Sequence, residues 1–533
     1  MSKNNRDTAN ALIREGVALG RKGAWQEAFD CYRKALMADP QSAEAAKGLA
    51  FTLNLAGRRE EGDHFTRLAL SLCKEPDAHL LTQMADLALK DGDLDTAIRA
   101  LISAGSLFFK KGYSFSDPKA SNPVLFITLA TLLWEAGRHD DAITIFSIIY
   151  KIKLATIEHI SKTRNLPKRA LFLFFGGSVI RGIGDFCTPA DILVKAVKLG
   201  MIPDIEYCFL LDERVKTNRT LIDYFGKYIN VVRDKAEIKE LRSIYEHCEL
   251  PSNFVPGGEL GGFHWYEAWH EVNRRWYEQG ESPLLTLEEQ HREEGWKTLE
   301  SLGVPKDAWF VCLHVRESGY HQDEGSTFAD SRSAEIADYM DSIAEIIKRG
   351  GWVIRVGDAS MTPLEPMENF IDYANSPVKS ERMDIFLCAA CRFFVGTNSG
   401  LGVVPLSFGV PTIQTNMLPV SFFTTLAPDL FIHKTIHRKE GGGPLSIREM
   451  YDPPYLNVHS AKVLESLGVV LKDNSPEEIT GVVVEMMDRL DGKPDEEEDN
   501  VLVERFFEAS AFRGQHSHGR PGVLFVRNNK HLI

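Results

Sequence analysis

The pattern of apolar and polar positions changes once along this 533-residue chain, close to residue 165. Before that point, small residues recur with a period of about 34 residues, the length of a helix pair that stacks on the next pair. After it, short continuous apolar runs alternate with helical segments, as in a buried parallel sheet covered by helices. The chain is therefore predicted to be helical first and α/β afterwards.

The repeating part contains four predicted helix pairs between Ala9 and about Tyr150. Two columns of small residues mark where the helices of a pair cross, and a column of glycines between them marks the turn. The pattern resembles the tetratricopeptide repeat family, which implies a superhelix whose concave face binds a peptide or the neighbouring domain. A purely structural helical cap is the alternative. The three columns are Gly16, Ala50, Ala85 and Ala130; Gly23, Gly57, Gly92 and Gly137; and Ala28, Gly62, Ala97 and Ala142.

The α/β part contains two series of predicted strands, so we expect two Rossmann-like domains with a cleft between them. The predicted domain boundaries are 1–160 for the repeats, 161–300 for the first α/β domain and 301–533 for the second with its C-terminal tail. A helix is predicted over Pro189 to Leu199. The predicted strands are Arg169 to Phe175, Ile205 to Leu211 and Ile229 to Val232 in the first series, and Trp309 to Val315, Gly351 to Val356, Phe393 to Val395, Pro411 to Gln414 and Gly468 to Leu471 in the second.

Composition excludes several classes of partner. With 61 Lys and Arg against 75 Asp and Glu, the net charge of −14 argues against a nucleic acid or an anionic membrane as the main partner. The eight cysteines do not form a disulfide framework, the N-terminus lacks a signal-peptide core and no run is long enough to span a membrane, so we expect a cytoplasmic protein. Cys388 and Cys391 lack the second pair that a zinc site needs, and we predict no metal.

The stretch from Phe393 to Asn416 joins two strand-like runs through a glycine-rich turn. Small residues let backbone N–H groups approach an anion, and a following helix would add its positive end. An ordinary strand-to-helix turn is the alternative. Pro405 conflicts with a helix that begins near Gly400, because proline lacks the N–H that such a helix needs. The residues of this turn are Gly396, Thr397, Asn398, Ser399, Gly400 and Gly402.

Several motifs together resemble known glycosyltransferases. The run Thr397 to Pro411 matches in spacing the donor signature of bacterial heptosyltransferase-like enzymes, and Gly182 to Pro189 is similar to their Gly-Asp loop. His314 to Arg316 resembles the His-x-Arg element of fucosyltransferase-type enzymes. Arg349 to Met361 and Tyr373 to Gly400 resemble a family of bacterial glycosyltransferases associated with surface carbohydrate, some of which are fused to tetratricopeptide repeats. This resemblance implies the GT-B arrangement of two Rossmann-like domains.

The resemblance also implies roles for particular residues. Asp185 corresponds to the usual catalytic base, with capping of the following helix as its alternative, and Arg316 to the arginine that holds the donor diphosphate. Glu317 and Asp323 are reserve bases, and His314 is either a donor contact or a structural histidine. Further donor contacts are predicted at Gly357, Asp358, Thr415, Asn416 and the residues of the turn. Acceptor contacts are predicted at Gly184. Apart from the resemblance, His264, Trp265 and Trp269 follow a glycine-rich stretch and could stack on a sugar of the acceptor, with a hydrophobic plug as the alternative.

Three departures from these families limit what the resemblance implies about the sugar. Asn398 replaces an acidic residue of the heptosyltransferase signature, and Val403 stands where that family often has a histidine. A heptose donor is therefore not expected. Glu317 occupies the place of the second arginine in the longer fucosyltransferase motif, so the motif does not establish a fucose donor.

The main hypothesis is a glycosyltransferase that moves a sugar from a nucleotide-diphosphate sugar to a hydroxyl acceptor. It would be inverting and would need neither a metal nor another cofactor. The repeats would recruit the acceptor, for example a bacterial surface protein in protein glycosylation. The alternatives are a catalytically silent scaffold that binds a partner through its repeats, and a polysaccharide-assembly glycosyltransferase whose repeats bind the assembly machinery.

Overall fold

The computed structural model describes residues 3–91, 93–110, 123–136, 138–172, 182–213, 215–245, 248–250, 254–256, 262–306, 308–317, 330–421, 428–439, 442–456, 458, 461–510 and 519–533. The chain divides into two compact units, Met1–Ile145 and Phe146–Ile533. Within the described ranges, no helix has the length and apolar character needed to cross a membrane.

Helices that pack in consecutive pairs make up the first unit. The last of them continues beyond the unit boundary. The helices are α1 (Lys3–Arg21), α2 (Trp25–Ala38), α3 (Ala43–Leu55), α4 (Arg59–Leu72), α5 (Ala78–Lys90), α6 (Leu94–Lys110), α7 (Pro123–Glu135) and α8 (His139–Arg164).

The small-residue columns explain this pairing. Gly23 and Gly57 lie in the turns within the first two pairs with φ of 78° and 74°, a conformation that glycine adopts without a steric cost. Ala28 and Ala50 are fully buried where helices cross. A Cβ at Gly16 would lie 2.9 Å from the ring of Tyr32, so a larger residue would separate α1 from α2. The first three predicted helix pairs, α1–α2, α3–α4 and α5–α6, are confirmed, while Gly92 and Gly137 lie outside the described residues.

The second unit has two halves. The first half is built on a parallel sheet of four strands in the order β3-β2-β1-β4, with a separate antiparallel pair, β5 and β6. Its elements are β1 (Arg169–Phe172), α9 (Ile183–Lys198), β2 (Glu206–Leu210), α10 (Arg219–Phe225), β3 (Asn230–Val232), α11 (Lys235–Tyr245), β4 (Glu249–Leu250), β5 (Phe254–Pro256), β6 (Gly262–His264) and α12 (Trp265–Glu278).

The second half is built on a parallel sheet of seven strands in the order β15-β12-β11-β10-β7-β8-β9. Its strands are β7 (Phe310–His314), β8 (Trp352–Arg355), β9 (Phe370–Ile371), β10 (Phe393–Thr397), β11 (Thr412–Met417), β12 (Leu430–His433), β13 (Thr435–Arg438), β14 (Val469–Lys472) and β15 (Arg520–Pro521). Its helices are α13 (Glu289–Ser301), α14 (Met340–Lys348), α15 (Glu381–Ala390), α16 (Val403–Ser407), α17 (Ile447–Met450), α18 (Ala461–Ser466), α19 (Pro476–Leu490), α20 (Glu497–Ala509) and α21 (Val523–Asn528).

The predicted fold class, a tetratricopeptide-type helical part followed by two Rossmann-like halves, is confirmed. Three details differ from the prediction. Helix α9 begins at Ile183, because Asp185 accepts a hydrogen bond from the Gly182 N–H, and Pro189 lies inside the helix instead of at its start. Strand β14 pairs antiparallel with β13, outside the main sheet. The C-terminal tail adds β15 to the sheet edge.

The acidic stretch from Asp488 to Asn500 joins α19 to α20, and residues 491–498 are exposed to solvent. Several of its carboxylates also pair with arginines from distant parts of the second half. The pairs are Asp488 with Arg349, Asp491 with Arg392, Asp495 with Arg520, and Asp499 with Arg527.

Candidate functional site

The chain reverses its direction of travel across the larger sheet between β7 and β10. Strands β8 and β9 extend the sheet on one side of β7, whereas β11 and β12 extend it beyond β10 on the other. The carboxyl ends of two such neighbouring strands flank an open crevice. His314 ends β7 and Arg316 follows it, and Thr397 ends β10. The Arg316 N–H donates to Thr397 Oγ1 at 2.9 Å, which joins the two strand ends.

The glycine-rich turn after β10 differs from the predicted strand-to-helix turn. Gly400 to Gly402 form a 3₁₀ turn, and α16 has only five residues. Pro405 is the third residue of α16, where an N–H would have no partner within the helix, so the proline fits without a kink. So short a helix has a small macrodipole. The contribution of its positive end to anion binding therefore stays a prediction, and it would be small beside that of a charged side chain.

Some residues of the turn have a structural role, whereas others have groups that the chain leaves unbonded. A Cβ at Gly396 would lie 2.7 Å from the His314 carbonyl oxygen, so this glycine allows β7 and β10 to pack. Asn398 is buried, and its Nδ2 donates to the Leu418 carbonyl at 2.8 Å. The Ser399 hydroxyl, in contrast, is buried in the turn with no hydrogen-bond partner among the described residues. Ser399 and Gly400 are thus the members best placed for a ligand.

His314 lies half-buried next to Gly357 and Asp358, which follow β8. Its Nδ1 is 2.9 Å from the Val356 carbonyl oxygen, so this nitrogen carries the proton and donates. Burial, helped by the nearby charge of Arg316, lowers the pKa of His314. The ring is therefore neutral at pH 7, and its Nε2 is an acceptor for a hydroxyl group and not a donor to phosphate. Asp358 accepts from the Ser360 N–H at 2.8 Å and shapes this turn.

Arg316 and Glu317 are neighbours with different surroundings. Arg316 is nine-tenths buried beneath the turn after β10. Both carboxylate oxygens of Glu317 are engaged: Oε1 pairs with the fully buried Arg355, and Oε2 accepts from the N–H and the hydroxyl of Thr362, each at 2.9 Å. Glu317 therefore holds a buried arginine instead of serving as a base. Arg355 also pairs with Asp372.

Asp185 lies in the first turn of α9, with its side chain exposed. Its carboxylate accepts from the Gly182 N–H at 3.1 Å, so the capping role predicted as the alternative is present. The first turn of α9 also contacts the second half. A Cβ at Gly184 would lie 2.4 Å from Gly400 Cα, which shows that the two backbones touch. The structure thus brings the Asp185 loop and the turn after β10 together, and Gly184 packs against that turn instead of lining an open acceptor surface.

Thr415 and Asn416, predicted to contact the nucleotide, are completely buried. Thr415 Oγ1 lies 2.6 Å from the Tyr339 hydroxyl. Asn416 and Asn474 exchange side chain-to-backbone hydrogen bonds of 2.6 and 2.7 Å, and Asn416 holds a φ of 50°. These groups are committed to each other, so the prediction of direct nucleotide contacts is corrected to a supporting role.

The predicted acceptor surface is only partly described. The backbone of His264 ends β6 and that of Trp265 begins α12, but their side chains lie outside the described residues, as does Asp323. Trp269 is fully buried, which makes it a core residue of the first half and not a sugar-stacking aromatic.

No family model and no curated protein sequence matches the chain. Solved structures are similar to it in parts. A mutant of Thermobaculum terrenum O-GlcNAc transferase aligns over 100% of this chain and 97% of its own, with 12% identity and a TM-score of 0.29. The E. coli ADP-heptose lipopolysaccharide heptosyltransferase II aligns over 60% of this chain and 98% of its own, with 13% identity and a TM-score of 0.31.

The tetratricopeptide protein YrrB, described as having an unusual peptide-binding site, aligns over 31% of this chain and 83% of its own, with 17% identity and a TM-score of 0.23. All these TM-scores are low, so the alignments carry no argument of their own. The fold rests on the helix pairs and sheets described above.

Two residues that support the β11 end were not predicted from the sequence, Tyr339 and Asn474. They come from distant segments and reach Thr415 and Asn416 only in the folded chain. The one signal in the sequence is that asparagine tolerates positive φ, which Asn416 uses.

Proposed function

We propose that this chain is a glycosyltransferase that transfers a sugar from a nucleotide-diphosphate sugar to a hydroxyl acceptor, with inversion and without a metal. The observation that carries this proposal is the contact between the Asp185 loop of the first half and the turn after β10. The contact supports the proposal because Asp185 directly follows Gly184, and the turn that Gly184 touches follows the strand end to which Arg316 is bonded. Sugar transfer needs both a carboxylate and a cation, because a hydroxyl loses a proton while a diphosphate leaves.

Arg316 would stabilise the departing nucleoside diphosphate. Negative charge grows on the bridging oxygen as the bond to the sugar breaks, and a guanidinium in a largely buried setting binds it more strongly than one in water. The Ser399 hydroxyl and the backbone of Gly400 lie at the neighbouring strand end and would complete the cradle. The neutral His314 would accept a hydrogen bond from a hydroxyl of the donor.

Asp185 would take the proton of the acceptor hydroxyl. Its carboxylate is exposed and belongs to the half opposite Arg316, as direct displacement at the anomeric carbon requires. The repeats of the first unit would recruit the acceptor, since stacked helix pairs present an extended surface for a partner chain. The donor sugar and the nucleotide are not assigned.

Isothermal titration of the whole chain with UDP, GDP, ADP and dTDP, followed by turnover assays with the matching nucleotide sugars, tests this proposal. We expect one nucleoside diphosphate to bind, and Arg316→Ala to weaken it by about 10- to 100-fold, the worth of a charge-assisted contact. Arg233→Ala, which removes an exposed arginine paired with Asp223, is the matched control and should bind as the wild type does. Absence of binding by all four nucleotides would refute the proposal.

A further inference from the structure

Two glycines from opposite halves touch backbone to backbone. A Cβ at Gly184 would lie 2.4 Å from Gly400 Cα, and a Cβ at Gly400 would lie 2.6 Å from the Gly184 nitrogen. Distances below 3 Å to backbone atoms cannot be relieved by turning a side chain. An alanine at either position would therefore force one loop to move away from the other.

Neither position has a backbone conformation that requires glycine. Gly184 is the second residue of α9 and Gly400 begins a 3₁₀ turn, and both lie outside the group of glycines with positive φ. At a helical position alanine is intrinsically favoured over glycine. The close approach of the two backbone segments is thus the structural reason for glycine at both positions.

The contact between the halves continues along α9 and α16. Cys187 Sγ lies 3.5 Å from Ser407 Oγ, and both side chains are fully buried. The glycine pair is the end of this seam next to Asp185 on one side and Ser399 on the other. Moving the pair apart moves the carboxylate relative to the turn, while β7, β10 and Arg316 keep their own connection through Thr397.

We propose that Gly184 and Gly400 are a positioning pair: their contact sets the separation between the Asp185 carboxylate and the anion-binding turn. This role rests on the proposed function, because it assigns the pair to the proton-transfer geometry of the same site. A displacement of about 1 Å in such an arrangement can cost about 100-fold in rate. Nucleotide binding depends on the second half alone and should survive.

The test is a double-mutant cycle with Gly184→Ala, Gly400→Ala and the double variant. Each is assayed for the Kd of the nucleoside diphosphate that the wild type binds and for kcat with its nucleotide sugar. We expect each single variant to lose about 100-fold in kcat. The Kd of Gly184→Ala should change less than threefold, because Gly184 lies outside the anion-binding turn, whereas Gly400 belongs to that turn and its Kd is not used as a criterion. The double variant should lose no more kcat than either single one, because all three variants disrupt one contact. Gly443→Ala is the control, because a Cβ there meets nothing within 4 Å.

The outcomes separate this role from the proposed function. Unchanged kcat in a folded Gly184→Ala or Gly400→Ala variant, or losses that add in the double variant, would overturn the positioning role while leaving the transferase intact. A wild type that binds no nucleotide would overturn both. If thermal melting shows that one single variant does not fold, the other decides: a 100-fold kcat loss, at constant Kd in the case of Gly184→Ala, supports the role, and wild-type kcat overturns it.

Discussion

The carboxyl ends of β10 and β11 are similar in sequence and different in the folded chain. Each has a threonine followed by an asparagine near its end, at 397–398 for β10 and at 415–416 for β11. After β10, the Ser399 hydroxyl has no hydrogen-bond partner among the described residues. After β11, Asn416 is fully buried and bonded to Asn474. Polar residues at neighbouring strand ends thus serve either a ligand or the scaffold, and the hydrogen bonds already made within the chain distinguish the two.

The largest effect is expected from the carboxylate that faces the β10 end. Asp185→Asn removes a base while keeping an oxygen that can cap α9, so kcat should fall by about 10²- to 10⁴-fold, with nucleotide Kd unchanged. Asp234→Asn is the matched control, because Asp234 also accepts from a backbone N–H at a helix start but lies away from the site. Equal and small losses in both variants would show that Asp185 only caps its helix.

A loss of stability is expected at the β11 end. Asn416→Ala leaves the buried Asn474 N–H without its acceptor and places alanine at a φ of 50°, so the free energy of unfolding should fall by about 3 kcal/mol. Nucleotide Kd should stay within threefold. Urea unfolding and titration calorimetry measure the two quantities, and tighter or weaker nucleotide binding at wild-type stability would contradict the scaffold role.

A smaller loss of stability is expected from a substitution at Glu317. Glu317→Gln removes the charge that faces the buried Arg355, which keeps Asp372 and the Thr362 carbonyl as partners, so the unfolding free energy should fall by about 2 kcal/mol. The folded variant should keep its kcat. A kcat loss like that of Asp185→Asn, without a stability change, would restore Glu317 as a candidate base.

The free energy of unfolding should also depend on pH, through a histidine next to the β11 end. Burial lowers the pKa of His433 to about 4, and its carbonyl accepts from Asn474. Because the unfolded chain binds the proton more readily, stability is present above pH 6.5 and is lost as the pH falls toward 4, by about 2 kcal/mol at pH 5. His433→Gln should flatten this slope in unfolding measurements from pH 7 to pH 5. A slope unchanged by the substitution would assign it to other groups, such as His270, whose pKa burial also lowers to about 4.

The sequence predicted the architecture well because its signals are local. The small-residue columns mark helix crossings, and continuous apolar runs mark strands whose ends approach each other in any parallel sheet. The identity of the ligand-facing residues is not local. The partners of Asn416 and Glu317 are Asn474 and Arg355, which are far away along the chain, so no pattern in the stretch around either residue could show that their polar atoms are already bonded.

The same limit applies to the start of α9. Pro189 suggested a helix start, but the hydrogen bond between Gly182 and Asp185 begins the helix earlier and moves the candidate base into its first turn. The ion pairs of Asp488 with Arg349 and of Asp491 with Arg392 likewise join segments that are far apart along the chain, so no local pattern predicts them. In both cases the fold determines pairings that the sequence only permits.

The most direct test of the comparison is to measure nucleotide affinity and unfolding free energy for Arg316→Ala and Asn416→Ala side by side. Arg316→Ala should weaken nucleoside diphosphate binding by about 10- to 100-fold, whereas Asn416→Ala should bind within threefold of the wild type and lose about 3 kcal/mol of stability. The opposite pattern, with weakened binding in Asn416→Ala and wild-type affinity in Arg316→Ala, would move the ligand to the β11 end and contradict the account.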